Sequence, residues 1–380
     1  MNTFLMKYKM MKENVKMSST WGQSAWFKSY KKYVFGPSET TRSAFYSMLA
    51  KNSPENVFHQ WLVGIVDGDG CFYFGKTKRG TWTFCFKVGQ SQYNLRVLYF
   101  MKKMLGVGHI IVPSKASSCA EYRIRNMIHL KEKILPIFDK YPLLTSKQFV
   151  YETFRESLLV YLDNNLSKDE KEKLLVYNKS KKTPTNYISF VWKGINEEFL
   201  SVDQVQSIMS KYWVVGFTEA EGSFYLTKKG PSRIIHCFEI TQKNDKIVLK
   251  GISLLLDMKV MSKSTYFTCI TTTQASVNKV IHYFFRTIKG MKSLEYRIWS
   301  RSFRKKNSFE ELVKIQKIMK NLRNKINIDY TNLLCKHIIK WRYSPIQYEN
   351  IGIYLVRLNI VKKVIHHWQD YKVIQEVQLI

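Results

Sequence analysis

The chain has 380 residues, 45% of them apolar, enough for about two to three domains with buried cores and incompatible with wholesale disorder or a small disulfide scaffold. With 61 Lys and Arg against 29 Asp and Glu, the net charge of +32 stands beside 14% aromatic residues, so the expected partner is a polyanion. Composition leaves DNA, RNA and an anionic membrane surface open. No stretch approaches the roughly 20 apolar residues of a spanning helix, since the run at Leu254–Leu256 is closed by Lys250 and Asp257. The six cysteines form no C-x-x-C pair and the eight histidines no H-E-x-x-H arrangement, so neither a zinc site nor a disulfide framework is expected and the thiols are read as reduced.

Residues 1–56 carry nine basic and three acidic side chains, many methionines and a polar break at Gly36–Thr41, and read as a basic leader, either a targeting helix or a flexible segment. A first unit over 57–162 opens on an apolar helical stretch, WLVGIVDGDGCF (Trp61–Phe72). Alternating segments follow: Phe72 and Phe74, then Trp82, Phe84, Phe86 and Val88, point one way, with Thr83, Cys85 and Lys87 on the opposite face. The basic turn at 76–80 joins them. Next come a helix over 94–105, a short strand pair (108–112 with 121–125) and more helix, giving the order α-β-β-α-β-β-α.

Residues 163–200, rich in Lys, Glu, Asn and Thr, read as a partly helical, solvent-exposed linker. The second unit, 201–326, then repeats the first. Trp213–Phe224 reads WVVGFTEAEGSF, and its Trp, Gly, paired acids and Phe all lie 152 residues after their counterparts, as Gln242 lies after Gln90. The segments that follow come in the same order: a basic turn at 228–233, a helix over 245–256 and strands at 259–261 and 266–271. Residues 327–380 have no counterpart in the first copy and read as a basic accessory tail.

The chemistry is concentrated in the doubled motif. Gly64 and Gly68, and their counterparts Gly216 and Ala220, lie four apart on one helix face, a small-x-x-x-small pattern that lets two helix backbones approach closely. Packing the two helices about a pseudo-two-fold axis brings Asp69 and Glu221 side by side at the helix C-terminal ends. The helix dipole and mutual repulsion oppose that placement unless a cation compensates. Carboxylate oxygens with the carbonyls of Gly68 and Ala220 suit Mg²⁺, Mn²⁺ being a substitute, and such a site activates water for phosphodiester hydrolysis. For Asp67 and Glu219 a capping or solvated role stands beside metal binding.

The pair LVGIVDGDG (62–70) and VVGFTEAEG (214–222) resembles the two signature helices of the LAGLIDADG homing endonucleases of the double-motif, single-chain class, over about residues 57–305. The resemblance implies an α+β fold of two pseudo-symmetric αββαββα units, forming a saddle of antiparallel sheets on double-stranded DNA with the motif helices at the interface and metal between Asp69 and Glu221. It further implies a polar residue late in the second long strand, matched by Gln90 and Gln242, and a basic residue before the third helix. Lys147 matches the latter in the first unit and Lys292 is the nearest candidate in the second. The 152 offset would instead place Trp299 there, so either a loop seven residues shorter or an asymmetric site is required.

Two-stranded ribbons fit the major groove, where sheet-face side chains reach bases and turn cations reach phosphates. The candidates are Tyr73, Lys76, Lys78, Arg79, Thr83, Lys87, Tyr225, Thr227, Lys228, Lys229, Arg233 and Glu239. The leading expectation is a monomeric, Mg²⁺-dependent, site-specific DNA endonuclease, intron-encoded and, from the family and the Lys-, Asn- and Ile-rich composition, mitochondrial. The alternative is a maturase that binds its host intron RNA during splicing.

Overall fold

The computed structural model describes residues 53–112 and 119–323. The tail and all but the last four residues of the leader lie outside the described residues. The chain divides into two units between Gln60 and Trp61, and both sheets belong to the second.

The first repeat runs α1 (Pro54–Asp69), β1 (Gly70–Lys76), β2 (Trp82–Ser91), α2 (Leu95–Leu105), β3 (His109–Ile111) and β4 (Cys119–Ile124), followed by α3 (Leu135–Lys140) and α4 (Lys147–Leu162). After α5 (Lys168–Ser180) and α6 (Val202–Ile208) the pattern returns: α7 (Lys211–Glu221), β5 (Gly222–Gly230), β6 (Arg233–Gln242), α8 (Lys246–Leu256), β7 (Lys259–Ser262) and β8 (Phe267–Ile270). It closes with α9 (Gln274–Tyr283), α10 (Lys292–Ser302) and α11 (Phe309–Arg323). The two four-stranded sheets are antiparallel and share one topology, β1-β2-β4-β3 and β5-β6-β8-β7. The expected α+β duplication is therefore present, with boundaries within about two residues of those read from periodicity.

Alternation decides which sheet face is buried. In the first repeat Phe72, Phe74, Phe84, Phe86 and Val88 point into the core, where Phe72 meets Phe138 edge-on at 5.1 Å and Tyr151 at 5.1 Å. In the second, Phe224 stacks on Phe238 at 4.7 Å and meets Tyr296 and Trp299. Each such ring buries roughly 150–250 Å², so these clusters fix the helices against their sheets. α2 buries Val97, Leu98, Met101 and Leu105, one stripe at helical spacing.

The segment expected to be an exposed linker is instead partly docked. In α5, Leu175 and Asn178 are buried, while Glu172 accepts from Lys76 Nζ at 2.6 Å and from Trp82 Nε1 at 2.8 Å. Trp192 is buried and donates its indole N–H to the Leu144 carbonyl at 2.9 Å. None of the five described cysteines is in a disulfide, and among the described residues no helix is long and apolar enough to cross a membrane.

Candidate active site and nucleic-acid face

The site is built where α1 and α7 cross. A Cβ on Gly64 would lie 2.1 Å from the Trp213 carbonyl oxygen, and one on Gly216 would lie 2.0 Å from that of Trp61. The two backbones thus touch through glycine alone, symmetrically. One turn on, a Cβ on Gly68 would lie 2.3 Å from Cβ of Ala220 and 3.3 Å from Oε1 of Glu221. The helix ends carrying Asp69 and Glu221 therefore stand together. Burial, and next the charge of Glu221, push the Asp69 carboxyl up to about 6.

That carboxylate pair suits a divalent cation. Among the described residues no group of three or more His, Cys, Asp or Glu could hold a metal, so the protein offers two carboxylates and main-chain oxygens. This donor set suits Mg²⁺, which keeps several waters and takes substrate phosphate oxygens, better than an ion needing a full protein cage.

Two lysines flank the pair in matching positions. Lys147, the first residue of α4, donates Nζ to the carbonyls of Val66 (2.9 Å) and Gly68 (2.7 Å). Lys292, the first residue of α10, donates to those of Thr218 (2.9 Å) and Ala220 (3.2 Å). Burial lowers the pKa of both ammoniums, while the nearby carboxylates oppose the shift. The Gly68 and Ala220 carbonyls are thus lysine acceptors here, each keeping a second lone pair. Trp299, at the uncorrected 152 offset, is a core residue whose indole donates to the Tyr225 carbonyl at 3.1 Å. The shortening of the second repeat is spread out. Equivalent residues lie 151 apart at Asn94 and Asp245, 147 at Arg123 and Ile270, which pair with Lys87 and Glu239, and 145 at the two lysines.

Gln90 and Gln242 differ. Gln90 donates Nε2 to Asp69 Oδ2 and accepts from Asn94 Nδ2 at 2.8 Å, whereas among the described residues no hydrogen bond joins Gln242 to Glu221. Asp67 and Glu219 are buried, not solvated. Asp67 accepts from the amides of Leu144 (2.9 Å) and Thr145 (3.1 Å), from the Thr145 hydroxyl, and from Trp213 Nε1 at 2.7 Å in the opposite repeat. Its carboxyl is pushed up to about 6, chiefly by burial. Glu219 accepts from the amides of Lys289 and Gly290, the latter at 3.0 Å. The first acid of each motif thus anchors the loop that delivers the lysine.

Sequence reasoning missed Asn94 and Asp245. Asn94 Oδ1 accepts the amide of Met291 at 2.8 Å, and Asp245 accepts the amide and hydroxyl of Ser146 at 2.7 and 2.9 Å. Both head helices expected from the sequence, over 94–105 and 245–256, but their bonds are made to loops of the opposite repeat, where no periodic signal marks a partner.

The sequence profile described as "LAGLIDADG endonuclease" matches residues 62–158 and 214–303. A Schizosaccharomyces pombe protein named "Probable intron-encoded endonuclease Cox1-I1b" is 39% identical over 293 residues, covering 73% of this chain and 73% of that protein. The chain belongs to the LAGLIDADG endonuclease family. A Neurospora crassa relative, "Probable intron-encoded endonuclease 4", is 24% identical over 75% of this chain and 47% of its own length. Among solved structures, I-SmaMI bound to uncleaved DNA target in the presence of calcium ions matches with TM-score 0.57 at 24% identity, over 70% of this chain and 99% of that one. The LAGLIDADG meganuclease I-AabMI bound to uncleaved DNA matches with TM-score 0.56 at 21% identity, over 71% and 99%. Both share the LAGLIDADG fold.

On that fold the candidate DNA-contacting residues fall on the sheet faces away from the cores and at the hairpin ends. Tyr73, Thr83 and Lys87 share the outer face of β1 and β2, and Tyr225, Thr227 and Glu239 that of β5 and β6. Lys78, Arg79, Lys228, Lys229 and Arg233 are exposed at the two hairpin ends. Several are already engaged. Lys76 pairs with Glu172 on α5, Tyr73 lies under Lys179 Nζ at 4.7 Å, and the Tyr225 hydroxyl donates to Glu239. Strand register also reveals partners that the sequence did not mark. Cys71, Lys87, Arg123 and His109 form one row across the first sheet, with Ser223, Glu239, Ile270 and Lys259 in the equivalent row of the second. Glu121 is held by Arg123 and by Lys87 at 3.2 Å.

Proposed function

We propose that this LAGLIDADG protein is a site-specific double-strand DNA homing endonuclease, encoded within an intron and working in mitochondria as a monomer with two half-sites. The observation that carries the reading is the Asp69–Glu221 pair, held together by the glycine contact of α1 and α7 and flanked by Lys147 and Lys292. Residues 57–162 and 201–326 supply one half-site each, joined by 163–200.

Asp69 and Glu221 would hold Mg²⁺, with Mn²⁺ as substitute. When bound, the cation supplies Lewis acidity and a water of lowered pKa. Water attacks phosphorus as the P–O bond to the leaving nucleotide breaks, and negative charge builds on the phosphoryl oxygens. Lys147 and Lys292, one beside each motif, place fixed positive charge where that build-up occurs. Gln90 orients the Asp69 carboxylate by donating to one of its oxygens. The outer sheet faces read base edges through Tyr73, Thr83, Lys87, Tyr225, Thr227 and Glu239, while the hairpin-end cations Lys78, Arg79, Lys228, Lys229 and Arg233 bind phosphates. Lys76, tied to Glu172, contributes less.

The splicing alternative rests on the basic segments 1–56 and 327–380, which lie almost wholly outside the described residues, and nothing in the site favours it. The deciding experiment incubates purified protein with a duplex DNA library, with and without Mg²⁺, beside an Asp69→Asn/Glu221→Gln double variant. Cuts at one sequence, made only by the unaltered protein with metal, support the proposal; no cutting by a folded protein across a well-sampled library rejects it.

A further inference from the structure

The helices that carry the two lysines draw part of their N-terminal capping from the opposite repeat; the amide of Lys147 itself is accepted by the Thr145 hydroxyl of its own repeat at 3.3 Å. α4 starts at Lys147 and the amide of the preceding residue, Ser146, is one of the N-terminal donors that no helical carbonyl can reach. Its acceptor is Asp245 Oδ1, at 2.7 Å, and Oδ2 takes the Ser146 hydroxyl at 2.9 Å. Asp245 belongs to the second repeat, just ahead of α8, where it sits at φ 60, a left-handed conformation that Asp tolerates. The mirror relation holds at the other lysine. The amide of Met291, ahead of Lys292, is accepted by Asn94 Oδ1 at 2.8 Å from the first repeat, just ahead of α2. Room for this approach depends on Gly290, where a Cβ would lie 2.4 Å from Asn94 Oδ1.

We propose that Asn94 and Asp245 are reciprocal positioning residues: each repeat fixes, through one side chain, the start of the lysine-bearing helix of the other, so that neither cleavage centre is complete without a contribution from the opposite repeat. This rests on the endonuclease reading above. A lysine at the first position of its helix moves with any tilt of that first turn, and a displacement of about 1 Å at a reacting centre costs on the order of a hundredfold in rate. The clamp is not equal on the two sides. Asn94 also donates Nδ2 to Gln90, which in turn holds Asp69, so the start of α10 and the Asp69 carboxylate are joined in one chain of hydrogen bonds. Asp245 has no N–H to donate onward to Gln242.

The test uses the full-length protein and a cognate duplex labelled separately on each strand. Lys147→Ala and Lys292→Ala variants first define which strand depends on which lysine. Asp245→Ala is expected to slow the Lys147-dependent nick roughly tenfold to a hundredfold, leaving the other nick within about twofold. Asp245→Asn, which keeps an acceptor, is expected to restore most of the rate. Asn94→Ala is expected to slow the Lys292-dependent nick. In DNA-free, metal-free protein, hydrogen exchange should rise at Ser146 and Lys147 in Asp245→Ala and at Met291 and Lys292 in Asn94→Ala. Equal loss on both strands, or faster exchange within the substituted residue's own repeat alone, overturns the proposal while leaving the nuclease intact. If the unaltered protein cuts no DNA, the endonuclease reading fails and this inference falls with it.

Discussion

Lys147 and Lys292 make the same bonds from opposite repeats: each ammonium bridges two carbonyls of its own motif helix, at Val66 and Gly68 or at Thr218 and Ala220. The correspondence survives although the two lysines lie 145 residues apart and the motifs 152. What is repeated is a lysine position relative to a helix end.

Removing either charge should therefore act on one strand more than the other. Lys147→Met and Lys292→Met keep much of the apolar stem, so the fold should hold, and each variant should lose roughly a hundredfold or more in the nicking rate of one strand. Strand-resolved cleavage assays measure this, with circular dichroism as the control for folding. Equal losses on both strands in both variants would contradict separate roles.

The glycine contact sets a sharper requirement. Gly64→Ala and Gly216→Ala each place a methyl about 2 Å from a carbonyl oxygen of the facing helix, and the obstacle is backbone that no side-chain rotation relieves. Overpacking of this kind typically costs about 1–3 kcal/mol, and separating the helices also parts Asp69 from Glu221. Denaturant melts should show the lower midpoint. A variant of unaltered stability would mean that the helices pack less closely at Gly64 and Gly216.

The two sheets should read different bases at equivalent positions. In the matching rows, Lys87 and Arg123 stand where the second sheet has Glu239 and Ile270. Lys and Arg favour the paired acceptors of guanine, Glu accepts from cytosine, and an apolar side chain meets the thymine methyl. Selection of cleavable targets from a randomised library should show guanine preferred opposite the Lys87–Arg123 row, and Arg123→Ala should relax that position by about 1–3 kcal/mol. Identical preferences in the two half-sites would defeat the assignment.

The repeat was legible because a constant offset carries Trp61 onto Trp213 and Gln90 onto Gln242, and with them the motif helix and the first strand pair. Alternation in WTFCFKV picked out the buried row Trp82, Phe84, Phe86 and Val88 of β2, although Cys85, on the opposite face with the half-buried Thr83 and Lys87, is buried as well. Legibility failed where the offset drifts, in the loops, since insertions there cost little in stability and leave no periodic trace. Asp245 and Ser146 are 99 residues apart in sequence and meet only across the pseudo-two-fold axis. The buried roles of Asp67 and Glu219 escaped notice for a related reason: an acid beside a helix end looks the same in sequence whether it faces water or a loop's amides.

His236 supplies a pH dependence of stability that is independent of catalysis. Its ring is buried on β6 between Trp299 and Phe303, with Nε2 paired to the Ser302 hydroxyl at 2.7 Å. Burial disfavours the imidazolium and lowers its pKa to about 4 from an ordinary 6.5. Between these values the unfolded chain binds the proton and the folded one does not, so stability falls as pH drops below about 6.5 and this loss is complete near pH 4. The loss is at most about 3 kcal/mol. His236→Phe retains an aromatic ring against Trp299 and Phe303, and the Ser302 hydroxyl still donates to the Trp299 carbonyl at 2.7 Å. The variant should therefore lose less stability than the unaltered protein between pH 7 and pH 4.5, as read by urea midpoints at each pH. Parallel curves for the two proteins would show that His236 is protonated in the folded chain.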